Sequence, residues 1–113
     1  MKQEKEKPTI NKYANQSGYS DCNPNEITRV VSEKCIEIRS MNTELDPTWE
    51  AEWVSGGFAG HCKNQLTQKW LYKTDPDGLV RKVRLNKYGV WKDARGNKYW
   101  ISKEPYKFYD YNF

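Results

Sequence analysis

The chain has a single histidine. That leaves no His–His pair to ligate a metal and no second imidazole to act as a base. Its three cysteines, Cys22, Cys35 and Cys62, lack paired spacing, so neither a zinc knuckle nor a disulfide framework is indicated. No Gly-Lys-Ser/Thr closes a phosphate loop, and no helix pattern follows the glycines as a dinucleotide fingerprint requires. No apolar run approaches the roughly 18 residues of a membrane span. The charged Met1–Pro8 stretch has no apolar centre of the signal-peptide kind. A cytoplasmic protein with reduced thiols is expected.

What the chain does have is aromatic rings set among cations. Fourteen of its aromatic residues, including all five tryptophans, lie between Trp49 and Phe113. Residues 63–107 carry a net charge of +8, whereas residues 1–62 carry −3, within an overall +4. Flat π-faces beside cations suit bases and phosphate-bearing ligands. The same rings also fill the core of a small β-domain, so both readings stay open.

With 113 residues there is room for one domain. Residues 1–18 are polar and charged and read as a disordered tail, leaving residues 19–113 as a single β-domain. Ile36 and Ile38 alternate with Glu37 and Arg39, and Val83 and Leu85 alternate with Lys82 and Arg84, both with the period of a half-buried strand. Ser32-Glu33-Lys34 fits a hairpin loop, Asp75-Pro76-Asp77-Gly78 a tight turn and Asp93–Asn97 another. A turn or cap role is expected for Asp21, which Asn23-Pro24 follows, and Tyr106–Tyr111 reads as a last strand. The β-branched run Ile27–Val31 argues against a helix beginning near Asn23. About seven short antiparallel strands are predicted, in a small SH3-like or OB-like barrel or sandwich.

Few residues carry chemistry. Gly57, in a glycine-containing segment from Gly56 to Gly60, could present backbone N–H groups to a phosphate, though a bulged turn is the plainer account. His61 and Cys62 are neighbours that point to opposite faces if extended, which separates a nucleophile from its base. Asp21 and Asp110 each lie beside tyrosines and offer a carboxylate pair only if the fold brings them together. The best constellation is Lys69, Lys82, Arg84 and Lys98 with Trp70, Tyr72, Trp91 and Trp100, with Lys73 nearby. If the strand holding Trp70 and Tyr72 lay beside that holding Lys82 and Arg84, rings would stand next to cations. The plainer account puts the rings in the core and the lysines at its rim.

Three motifs carry a resemblance: Tyr19-Ser20-Asp21-x-x-Pro24, then Gly56-Gly57-Phe58-x-Gly60-His61-Cys62-x-Asn64-Gln65-x-x-Gln68-x-Trp70, then Phe108-Tyr109-Asp110-Tyr111-Asn112-Phe113. Together they resemble a loose family of short bacteriophage and mobile-element proteins, across about residues 19–113. No activity comes with that likeness, and no catalytic role is carried over. It implies a phage-type accessory protein acting on host machinery, nucleic acid or a defence signal. The expected function is non-enzymatic binding of a nucleic acid strand or signalling nucleotide, with no cofactor. The competing classes are a protein module that blocks a host enzyme, and a small hydrolase or transferase using Asp21, His61 and Asp110.

Overall fold

Alternating side chains decide the architecture. In the computed structural model, which describes residues 7–55 and 60–112, ten strands form and no α-helix is present among the described residues. They are β1 (Tyr13–Ser17), β2 (Cys22–Ser32), β3 (Cys35–Ser40), β4 (Asn42–Leu45), β5 (Trp53–Val54), β6 (His61–Cys62), β7 (Trp70–Lys73), β8 (Val80–Leu85), β9 (Trp91–Lys92) and β10 (Lys98–Ser102). Six close an antiparallel barrel in the order β1-β10-β9-β8-β3-β2. The pairs β4–β7 and β5–β6 form separate two-stranded sheets. The all-β barrel is as expected. The strand count is higher because several of the ladders are only two residues long.

Inside the barrel are Ala14, Ile27, Ile36, Ile38, Val83, Trp91 and Tyr99, with Leu85 and Ile101 packed against them. The period-two pattern of β3 and β8 therefore faces inward as written. Ser32 pairs with Cys35, which leaves Glu33 and Lys34 as the loop of the β2–β3 hairpin.

Two boundaries differ from the sequence expectation. The tail does not extend to residue 18: Tyr13–Ser17 is a barrel strand between β10 and β2. Its polarity is misleading because Asn15 is fully buried on the outer side of the barrel. There it donates to Ser102 Oγ (2.7 Å) and accepts from the Tyr106 N–H (3.0 Å). The second strand likewise starts earlier than its β-branched run at Ile27: β2 begins at Cys22, directly after a turn in which the Asp21 carbonyl accepts the Gly18 N–H (2.8 Å). Pro24 precedes the first β2–β3 pair, Asn25 with Ser40, so that flank has no ladder bond for its missing donor to break.

Asp75–Gly78 is the turn its composition suggests. The Asp75 side chain accepts from the Asp77 N–H (3.0 Å), and its carbonyl accepts from the Gly78 N–H (3.0 Å). A methyl group at Gly78 would stand 2.3 Å from the Ser40 carbonyl oxygen and 2.9 Å from Arg39 Cγ. Gly78→Ala should therefore force the turn off β3 and cost about 1–3 kcal/mol, as overpacking does. Chemical denaturation would read this as a lower midpoint with an unchanged slope. An unchanged midpoint would show that the turn yields freely.

The C-terminal residues are not a strand. They run as an irregular clasp with one isolated bridge, in which Cys22 and Phe108 exchange both backbone bonds at 2.9 Å. Side chains receive the N–H groups that follow: Gln68 Oε1 takes Tyr109 (2.9 Å), Asp21 Oδ1 takes Asp110 (2.8 Å) and Gln65 Oε1 takes Tyr111 (2.8 Å). Asn112 pairs with both backbone groups of Cys62, at 2.8 and 3.0 Å. The Tyr111 ring packs on Trp49 at 5.5 Å and on Trp53 at 6.2 Å. Three sequence motifs that are far apart in the chain thus meet in one structural joint.

Candidate anion-binding site

On the outer face of the barrel, register brings cations together. Arg84 of β8 pairs with Lys92 of β9, and Lys92 pairs in turn with Lys98 of β10. Trp91 faces the core, so its neighbour Lys92 faces out, as do Arg84 and Lys98 from their own alternations. Lys82 lies two residues along β8 on the same face. Its register partner is Glu37, whose carboxylate is engaged by Arg29 at 3.4 Å. Among the described residues none of these four cations has an ion-pair partner. Like charges placed directly opposite on a sheet destabilise it. Three in a row are unfavourable for the free protein and suit an anionic ligand.

Beside the row is a hollow of about 450 Å³ lined by Arg81, Lys82, Arg84, Lys92, Asp93 and Arg95. Two loops of one design flank it. In Asn86–Val90 the Asn86 side chain accepts the N–H groups of Tyr88 and Val90, and in Asp93–Asn97 Asp93 accepts those of Arg95 and Asn97. Each loop has glycine at its fourth position with positive φ, Gly89 and Gly96. The shared geometry is hidden in the sequence because only that glycine and a leading Asn or Asp recur.

Arg81 lies between this hollow and a second one of about 350 Å³. Its guanidinium is gripped by neutral acceptors: Asn25 Oδ1 (2.6 Å), Ser40 Oγ (2.9 Å) and Tyr99 Oη (3.2 Å). The Tyr99 hydroxyl donates onward to Asp93 Oδ2 at 2.8 Å. Burial alone would raise the Asp93 carboxyl, but hydrogen bonds from Asn97, Tyr99 and the Arg95 backbone together hold it below its ordinary value. Burial, reinforced by Asp93, pushes the Tyr99 phenol up. The carboxylate stays ionised and the phenol stays a donor, which fixes Arg81 at the mouth of the barrel.

The expected site residues divide. Lys82, Arg84 and Lys98 share this face, and Trp100 follows Lys98 on the same side of β10. Trp100 is 41% exposed, and its ring lies 5.6 Å from Tyr106. Trp91 is corrected: at 8% exposure it belongs to the core, held between Leu85 and Tyr99 by register. Trp70 and Tyr72 are corrected too, because β7 pairs with β4 and not with β8. They hold the clasp instead. The Tyr72 hydroxyl accepts the Lys107 N–H (2.9 Å), and the Lys107 ammonium lies 5.0 Å over the Trp70 ring. Lys69 lies beside that same small sheet, where its carbonyl accepts the Asp46 N–H. His61 is exposed on the β5–β6 ribbon, and Gly57 lies outside the described residues.

Arg81, Lys92 and Arg95 are the functional candidates that the sequence reading missed. Lys92 was recoverable, since an inward Trp91 dictates an outward neighbour. Arg81 was not, because nothing local shows that Asn25 and Tyr99 converge on it.

Asp21 and Asp110 do meet. Both line a hollow of about 380 Å³ with Tyr19, Tyr109 and Tyr111, but His61 does not reach it. Asp21 serves there as acceptor for the Asp110 backbone, a structural task. Cys22, Cys35 and Cys62 are free and buried, and burial first of all pushes the Cys22 thiol up. No group of three or more His, Cys, Asp or Glu among the described residues is arranged to hold a metal ion. No helix among them is long and apolar enough to cross a membrane. Comparison with protein-family models, curated proteins and solved structures finds no match.

Proposed function

We propose that this chain is a non-enzymatic binding protein for a phosphate-bearing ligand, a nucleic acid strand or a nucleotide. The ligand is held on the outer face of β8, β9 and β10. One observation carries the reading: Arg84, Lys92 and Lys98 stand in register with no carboxylate among them, beside a hollow where Arg95 and Lys82 add charge. An approaching polyanion relieves that repulsion and releases its own counterions. The resemblance to phage and mobile-element proteins fits an accessory role inside a host cell, on nucleic acid or on a defence signal.

The Lys82→Glu/Arg84→Glu variant tests it. Both side chains are exposed, and the repulsion between Glu37 and Lys82→Glu is offset by the attraction between Lys92 and Arg84→Glu, so stability should change by no more than about 0.5 kcal/mol. In a titration at low salt with a labelled oligonucleotide and with heparin, wild type should bind with affinity falling steeply as salt rises. The variant should lose binding at an unchanged melting temperature. Equal binding by the two proteins would remove this face from the function.

A second reading, a module that blocks a host protein, draws on the other hollow. Tyr19 is 94% exposed there beside Tyr109, and tyrosines are favoured anchors at interfaces.

A further inference from the structure

The cationic face continues into an aromatic one, and their order along β10 distinguishes between the two ligand classes. Lys98 and Trp100 are alternate residues on one side of the strand, about 6.6 Å apart. Arg84, Lys92 and Lys98 step across three strands at about 4.8 Å each. From Arg84 to Trp100 the direct distance is therefore roughly 12 Å, farther than a phosphate stands from the base of its own nucleotide. The Trp100 ring is backed by Tyr106, and part of its surface stays open. Lys82, Arg84 and Lys92 line the hollow at the far end of this path.

Resting on the anion-binding reading above, we propose that the ligand is single-stranded nucleic acid of three or more nucleotides, running across β10, β9 and β8. One base stacks on Trp100, beside Tyr106. The phosphates that follow are met in turn by Lys98, Lys92 and Arg84. A mononucleotide engages only one end of this path. A duplex keeps its bases inside and leaves Trp100 without a partner. Sequence preference is weak, because every base has a face to stack and no base edge is read.

Labelled oligothymidylates of one to eight nucleotides test the assignment at low salt. Affinity should rise steeply up to three or four nucleotides, and tryptophan fluorescence should quench on binding. Two variants separate stacking from packing. Trp100→Phe keeps a flat ring, so it should retain affinity within a few-fold while most of the quench disappears. Trp100→Leu keeps apolar packing against Tyr106 but offers no flat face, and it should bind roughly 5- to 150-fold more weakly. Its dependence on salt should match wild type, because no phosphate contact is removed.

Three results would overturn the single-strand assignment and leave anion binding intact. They are a mononucleotide binding as tightly as the octamer, a duplex competing equally, or Trp100→Leu binding like wild type. Failure of every oligonucleotide and of heparin to bind at low salt would instead overturn the anion-binding reading itself.

Discussion

A chain ending at Lys107 should melt at least about 12 °C below the full protein. The clasp it loses supplies Phe108 and Tyr111, partly buried rings worth together roughly 2–3 kcal/mol, and its lost hydrogen bonds add about 1 kcal/mol more. In a chain of this length each kcal/mol moves the midpoint by about 4–8 °C. The loss should also be uneven. Gln65, Gln68, Asp21 and Cys62 would each lose a partner, and Trp49 would lose the ring packed against it. Hydrogen exchange should therefore quicken first in β4–β7 and β5–β6, before the barrel strands. A truncated protein with an unchanged melting curve and unchanged exchange would show the clasp to be loosely attached.

Arg81→Met should be about as severe, for a different reason. It removes no apolar packing, but it leaves Asn25, only 2% exposed, with an unpaired carbonyl oxygen, and it takes a donor from Ser40 and Tyr99. A buried acceptor left without its partner costs about 1–3 kcal/mol, and bonds to a charged donor contribute about 1.5–3 kcal/mol. A total near 3–4 kcal/mol is expected, read as a fall of about 12 °C or more in the melting midpoint. Arg81→Lys should recover less than half of this, since one ammonium cannot reproduce a planar fork reaching three acceptors. Full recovery by lysine would mean that charge alone matters at that position, and the geometric account of the barrel mouth would fail.

The barrel could be read from the sequence where burial is one-sided. Ile36, Ile38, Val83 and Leu85 face in, and their charged neighbours face out, so period alone places β3 and β8. It could not be read where a strand is covered on its outer side. Asn15 looks like tail chemistry, yet Ser102 of β10 accepts from its amide nitrogen and the segment after β10 donates to its oxygen from the Tyr106 N–H. Pro24 looks like a break in the strand for a related reason, because its tolerance depends on where β3 ends.

The candidate site shows the same division. Lys82, Arg84 and Lys98 were legible from alternation. The rings chosen to accompany them were mostly wrong, because Trp91 fills the core and Trp70 and Tyr72 hold the clasp. Only Trp100 remains on the cationic face. Which ring accompanies which cation is set by pairing between strands that lie far apart in the chain, and a local pattern carries no information about that.

Closure of the barrel depends on β1 meeting β10, residues 13–17 against 98–102. On a ribosome, therefore, the first strand waits unpaired on one side until β10 has been made, with its polar Asn15 and Gln16 exposed to water in the meantime. Such distant pairing places folding in the slow range, milliseconds to seconds. It also makes the polarity of β1 useful: an early strand that must wait is safer from aggregation when its outward side is amide rather than hydrocarbon.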